Sequence, residues 1–191
     1  VYAEVCSACH SLNQVAFRNF EDLGYSEDEV KAIAKGWKTE VPSINPETGE
    51  PATRPGLAAD KIPSPFANET AARAANNNAL PPDLSLITKA RHNGTAYVYS
   101  LLTGYQAVPA NLPKESRPGT GLHYNPYFPG DLTAFWSGSH DKVPRGGLIA
   151  MAPPLAKDKV SFDDGTPSTI ENQGRDVAAL LTWASEPKLE E

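Results

Sequence analysis

The sequence predicts a mainly α fold in which a few short helices are joined by long irregular loops and strand is scarce. Three observations lead there. Prolines (18) and glycines (14) make up about 17% of the 191 residues, too few for a low-complexity chain but enough to interrupt long helices. Apolar residues recur at helical spacing in four separate windows, and the stretches between them are rich in turn formers. Period-two alternation, the mark of a half-buried strand, is rare. Length and composition (40% hydrophobic, 21% charged) suit one globular domain over residues 1–191 with a core of its own.

The first helix is expected over 7–20, where Ala8, Leu12, Val15, Ala16 and Phe20 fall near helical spacing. The second follows Ser26, which with Glu29 forms an S-x-x-E capping box ahead of Val30, Ala32, Ile33 and Ala34; Gly36 stops it. A third runs from Thr95 through Tyr97, Val98, Leu101 and Leu102 and ends at Gly104. The fourth covers 168–184, with Ser168 and Glu171 as a second capping box, Val177, Leu180, Leu181 and Ala184 on one face, and Pro187 as its close. The connections at 41–66, 106–130 and 137–158 exceed the roughly 12–15 residues usual for structureless loops in compact domains, which predicts a ligand that organises them. Tyr and Trp (seven and three) outnumber Phe (six), a balance suited to a pocket needing both apolar faces and hydrogen-bonding tips.

Charge narrows the partners. The net charge is −6, and it is uneven: residues 1–50 hold nine acids and four bases, residues 151–191 eight and four, and the middle is mildly basic. A nucleic-acid binder would need the opposite sign, so none is expected. The acidic stretches Glu21–Glu29 and Asp158–Asp164 would instead steer a basic protein. No window approaches the ~18–20 apolar residues needed to cross a bilayer, and the opening Val1-Tyr2-Ala3-Glu4 has no signal-peptide character, so the chain as it stands is expected to be soluble.

The chemistry begins at the only two cysteines. Cys6-Ser7-Ala8-Cys9-His10 is a C-x-x-C-H motif, in which two thiols three residues apart form thioethers to one haem and the adjacent histidine donates Nε2 to the iron. A redox dithiol would sit near a βαβ pattern, and a zinc site would need a fourth ligand that no further cysteine can supply. Haem c bound through Cys6 and Cys9 is therefore the expected cofactor. For the sixth position the candidate is Met151, the single methionine, in Gly146-Gly147-Leu148-Ile149-Ala150-Met151-Ala152-Pro153-Pro154-Leu155. The glycines would let the backbone approach a planar ligand, and the prolines stiffen the loop after the sulfur. A His/Met pair raises the reduction potential and closes the iron, which suits electron transfer. His92, His123 and His140 are the rival ligands.

Several blocks in order resemble the cytochrome c1 family. They are the haem motif, Ala71-Ala72-Arg73-Ala74-Ala75-Asn76-Asn77-Asn78-Ala79-Leu80-Pro81-Pro82-Asp83-Leu84-Ser85, Ala90-Arg91-His92, Ser100-Leu101-Leu102-Thr103-Gly104-Tyr105, Asn125-Pro126-Tyr127-Phe128 and Ile149-Ala150-Met151-Ala152-Pro153-Pro154-Leu155. The resemblance implies a cytochrome c-like haem domain, its loops wrapped around the cofactor, in the cytochrome bc1 complex (ubiquinol:cytochrome c oxidoreductase). There it would sit beside cytochrome b, take an electron from the Rieske iron–sulfur protein and pass it to a cytochrome c, without being catalytic alone. His10 would be the proximal ligand, Met151 the distal one, and Arg73 the partner of a haem propionate. One of the carbonyls of Pro81 and Pro82 is expected to accept the His10 Nδ1–H. Tyr97, Tyr105, Tyr124, Tyr127 and Trp136 are candidate pocket walls or propionate donors.

The family resemblance also implies a longer segment before the haem motif and one membrane helix after Glu186-Pro187-Lys188-Leu189. The sequence is thus expected to be a soluble core fragment of a membrane-anchored protein, on the periplasmic side of a bacterial inner membrane or the intermembrane-space side of a mitochondrial one. The alternative readings are a peroxidase-like haem enzyme or haem-based sensor with a weak or open sixth position, and a zinc-stabilised interaction module.

Overall fold

The structure, a computed structural model, describes residues 1–112, 119–136 and 138–186. Short helices dominate it, with two small two-stranded sheets, as the mainly α reading expects. Helix α1, Glu27–Lys35, begins at the expected capping box: the Ser26 side chain accepts from the Glu29 N–H, while the Glu29 carboxylate accepts from the Ser26 N–H at 2.8 Å. It ends at Gly36. Helix α3, Gly94–Thr103, ends at Gly104 as anticipated. Helix α4, Ile170–Ser185, is capped one residue later than expected, by Thr169, whose side chain accepts from the Asn172 N–H. Ser168 accepts instead from the amide of Gln173, so the S-x-x-E spacing marks the right place but the wrong residue. Pro187 and the Lys188-Leu189 part of the family block lie outside the described residues.

The helix expected over 7–20 is a correction. Two 3₁₀ segments occupy its ends, Cys6–Ala8 and Phe17–Leu23, and the stretch between is irregular. Its backbone donors are claimed from far along the chain. The Asn13 N–H goes to the Asp83 carboxylate (2.8 Å), the Gln14 N–H to the Ser85 hydroxyl (3.0 Å) and the Phe17 N–H to the Asp60 carbonyl (3.0 Å), and none of these is free for a helical ladder. Of the apolar residues that suggested a helix, Leu12, Val15, Ala16 and Phe20 are buried all the same, while Ala8 is exposed.

Five further elements, one helix and four strands, lie where loops or nothing had been expected. Strands β1, Val41–Ile44, and β2, Pro51–Arg54, pair antiparallel with Val41 opposite Arg54. Helix α2, Glu69–Ala75, starts on Asn68, whose side chain accepts from the Ala71 N–H. Strands β3, His123–Asn125, and β4, Gly147–Ile149, pair antiparallel with His123 opposite Ile149 and Asn125 opposite Gly147.

One core cluster holds these pieces together. Tyr2, Leu12, Phe17, Phe20, Val30, Ala34, Ile62, Val98, Val177 and Leu181 meet in it, so the first turn of the chain, α1, α3 and α4 share one interior. Phe17 packs edge-on against Trp37 at 5.4 Å between ring centroids, and Phe20 lies 6.0 Å from Trp183. Among the described residues no helix is long and apolar enough to cross a membrane.

Candidate haem site

The haem motif sits on the edge of that core. Cys6 is buried, Cys9 half-buried, and both are free thiols. The 3₁₀ turn directs the Cys9 and His10 N–H groups to the Cys6 carbonyl at 3.1 and 2.9 Å, so both thiols and the imidazole spring from a single turn. Tyr2 brackets this turn. Its backbone carbonyl accepts from the Cys6 and Ser7 N–H groups (3.0 and 2.9 Å), and its buried hydroxyl donates to the His10 carbonyl at 2.9 Å. Burial pushes the Cys6 thiol up to about 11 and holds the Tyr2 phenol well above its ordinary value, so both stay neutral.

His10 is the centre of the arrangement. Its Nδ1 lies 2.8 Å from the carbonyl oxygen of Pro82. A carbonyl can only accept, so Nδ1 carries the proton and Nε2 keeps its lone pair. Of the two candidate prolines it is Pro82 that meets the ring; Pro81 is its neighbour. Burial pushes the imidazole below its usual range, against the opposing effects of the Pro82 bond and the Asp83 charge, so the ring is neutral at neutral pH.

A second group gathers around Met151. This residue is half-buried, two positions beyond β4, and its carbonyl accepts from the Tyr105 hydroxyl at 2.9 Å. Burial and then the Tyr97 phenol raise Tyr105 well above its ordinary value. Two more carbonyls of the same loop are held: Pro154 by the Lys159 ammonium at 2.7 Å, and Ala156 by the amide of the fully buried Gln173 at 2.7 Å. The Lys159 charge also acts on the Cys6 thiol, lowering it against the larger effect of burial.

The glycines before Met151 are also constrained by the protein's own packing. Gly146 has φ +92°, a left-handed turn at the start of β4, and a Cβ on Gly147 would stand 2.9 Å from the Gly130 Cα. Their close approach is to the protein's own backbone.

Arg73 sits exposed on α2, and its guanidinium donates to the Asn78 carbonyl at 3.1 Å. That bond closes the turn in which Asn77 and Asn78 are both left-handed. It forms no ion pair among the described residues, and its expected role toward a propionate rests on the resemblance alone. Tyr124 donates to the Arg145 carbonyl (2.6 Å) and Trp136 to the Ser139 carbonyl (3.1 Å), while Tyr127 is half exposed. His92 and His140 are exposed, whereas His123 lies across β3–β4 from Ile149. Among the described residues no group of three or more His, Cys, Asp or Glu stands together to hold a metal ion.

Sequence reasoning passed over Tyr2, Asp83, Lys159 and Gln173. Only Asp83 had a local signal: an acid two residues before a serine, after two prolines, is an Asx-turn pattern, and the Ser85 N–H does donate to its carboxylate at 2.9 Å. The donor set fits a c-type haem. Two unpaired thiols and an imidazole whose Nε2 keeps its lone pair share one turn, and the chain's one thioether sits half-buried on the loop after β4. Leu80 and Leu86, two and four residues from Pro82, stand exposed, apolar surface of the kind a porphyrin covers.

Comparison with known proteins gives a consistent picture. A family model described as the Cytochrome C1 family matches residues 1–191. The chain is 45% identical over 191 residues to cytochrome c1 2, a mitochondrial heme protein of Arabidopsis thaliana, with all of this chain and 55% of the relative aligned. It is 46% identical over 191 residues to the mitochondrial cytochrome b-c1 complex catalytic subunit of Candida albicans, covering 98% of this chain and 58% of that one. Cytochrome c1 of Rhodospirillum rubrum is 42% identical over 202 residues, covering all of this chain and 68% of the relative. The chain spans 53% to 65% of the length of the four plant relatives it matches.

Proposed function

The chain belongs to the cytochrome c1 family, and from that premise we propose that it is the haem c electron-transfer domain of a ubiquinol:cytochrome c oxidoreductase. It takes one electron at a time from the Rieske iron–sulfur protein, beside cytochrome b, and passes it to a cytochrome c on the periplasmic or intermembrane-space side of the membrane. The observation that carries the reading is the His10 Nδ1 to Pro82 carbonyl bond at 2.8 Å, one residue from a free thiol and four from another.

When bound, the haem iron supplies a one-electron ferric/ferrous couple, with thioether ligation favouring the ferrous form. Cys6 and Cys9 would hold the porphyrin, and His10 Nε2 and the Met151 thioether would ligate its iron. The protein's own groups do the rest. Pro82 fixes the tautomer and plane of the ring, and the Tyr2 hydroxyl pins the His10 backbone. Tyr105, Lys159 and Gln173 hold three carbonyls of the Met151 loop, so the sulfur is presented from a loop with little freedom. A site that keeps one geometry in both oxidation states transfers charge with little reorganisation. The acids at 21–29 give a basic cytochrome c an attractive approach.

Stopped-flow mixing of the reduced, haem-loaded protein with a basic cytochrome c tests this. Electron transfer whose second-order rate falls with ionic strength is expected, and Met151→Leu should lower the potential by on the order of a few hundred millivolts, within the ~0.8 V that axial ligands control. Rapid carbon monoxide binding to the reduced wild type, with no transfer to the cytochrome, would point to an open-site haem enzyme or sensor.

A further inference from the structure

Around the His10 to Pro82 bond the chain forms a small lattice that the proposed function does not use. His10 is followed by Ser11 and Pro82 by Asp83, and the two segments, 72 residues apart, stay fastened as they run on. The Ser11 hydroxyl donates to Asp83 Oδ2 at 2.8 Å, and the Leu84 N–H donates to the Ser11 carbonyl at 2.9 Å. The Asn13 N–H also reaches Asp83 Oδ2 at 2.8 Å, the Ser85 N–H reaches Oδ1 at 2.9 Å, and the Gln14 N–H reaches the Ser85 hydroxyl at 3.0 Å. Both carboxylate oxygens are engaged, and Ser11 and Ser85 are buried. No cation reaches Asp83 among the described residues, so it is held by neutral donors rather than by an ion pair.

We propose that Asp83 is the positioning residue of the haem site, a carboxylate clasp that binds the segment after His10 to the segment after Pro82 and so sets how firmly the His10 ring is held. It touches neither the ring nor Pro82's carbonyl. A ring nitrogen that donates to a fixed acceptor is locked in tautomer and plane and is a better electron donor through its other nitrogen. Two peptide segments from distant parts of the chain would otherwise keep that alignment through a single hydrogen bond. Charge-assisted hydrogen bonds to a carboxylate are roughly twice as strong as neutral ones, which is why an aspartate rather than an asparagine or serine suits the position. The inference rests on the haem reading, because the imidazole matters as a ligand only if iron is present.

The test compares haem-loaded wild type, Asp83→Asn, Asp83→Glu, Ser11→Ala and Asp131→Asn. Asp131 is an exposed aspartate that accepts the Thr133 N–H at 2.8 Å in a local turn, so its loss removes the same charge elsewhere. The readout is the solvent-exchange rate of the His10 Nδ1–H in the diamagnetic ferrous state by nuclear magnetic resonance, with the reduction potential beside it. Losing the clasp should speed that exchange about tenfold to a hundredfold in Asp83→Asn. Ser11→Ala, which keeps the charge and removes one donor, should give about threefold to tenfold, and Asp131→Asn less than about twofold. Asp83→Glu should recover the potential, which senses charge, more fully than the exchange protection, which senses geometry. Should Asp83→Asn fail to fold, Ser11→Ala carries the comparison alone. Exchange in Asp83→Asn, or in Ser11→Ala where it stands in, within about twofold of wild type overturns the clasp while leaving the haem reading intact. A wild type that takes up no haem overturns the reading beneath it.

Discussion

Removing the Tyr105 hydroxyl should loosen the loop that presents Met151, and the size of the effect follows from the contact. The phenol is half-buried, stays neutral because burial pushes it well above its ordinary value, and donates to the Met151 carbonyl at 2.9 Å. Tyr105→Phe keeps the ring packing and leaves that carbonyl without its donor, a cost of about 1–3 kcal/mol when a partly buried acceptor goes unsatisfied. If the cost falls on the closed loop, detachment of the sulfur becomes more favourable by a factor of about 5–150, at about 1.4 kcal/mol per tenfold. Carbon monoxide can reach ferrous iron only when the thioether has left, so its binding should quicken by that factor. Tyr124→Phe is the control. It removes a similar bond, to the Arg145 carbonyl at 2.6 Å, from β3 and ahead of the Met151 loop, and should lower thermal stability with carbon monoxide binding unchanged. Carbon monoxide rates in Tyr105→Phe within about twofold of wild type would refute the reasoning.

Other consequences can be checked on stability alone. Gly147→Ala puts a methyl 2.9 Å from the Gly130 Cα and 3.3 Å from the Phe128 ring in a buried strand, where the backbone cannot yield. A loss of about 1–3 kcal/mol is expected, seen as a fall of at least ~2 °C in melting temperature. Ser26→Ala removes the hydroxyl that accepts from the Glu29 N–H and donates to the Glu29 carboxylate, leaving only the backbone N–H bond to that carboxylate, and should cost about 0.5–2 kcal/mol, measured by chemical denaturation. Burial raises the Asp83 carboxyl, but the N–H of Asn13 and the donors of Ser85 and Ser11 outweigh it, so the folded carboxyl sits below its ordinary value. Its contribution is therefore fully present above the unfolded pKa of about 4 and is lost as pH falls through the lower folded-state value. Melting temperature should drop more steeply below about pH 4 in wild type than in Asp83→Asn; parallel curves would contradict this.

Elements whose cause is local were legible in the sequence. Ser26 and Glu29 make α1 with groups three residues apart, and Gly104 ends α3 where the apolar run stops. The misread stretch, 7–20, has helical spacing but spends its backbone donors on Asp60, Asp83 and Ser85, partners no window of eighteen residues contains. Strands β1 and β2 were invisible because each buries only alternate residues halfway and both contain proline. At the site, Cys6, Cys9 and His10 stood out by their motif, and Met151 as the single methionine between glycines and prolines, a choice the family blocks repeated. Choosing Pro82 over Pro81, and finding Tyr2, Asp83 and Gln173, required the fold, because each acts through a bond set by tertiary packing.

The central claim is that Cys6 and Cys9 carry one haem with His10 on its iron. Express the chain in a host competent for cytochrome c maturation, then record its intact mass and its pyridine haemochrome spectrum alongside a Cys6→Ser, Cys9→Ser double variant. The account predicts one covalent haem per wild-type chain, a spectrum of the bis-thioether type, and no adduct in the variant. A colourless wild type at the mass of the bare polypeptide would contradict it.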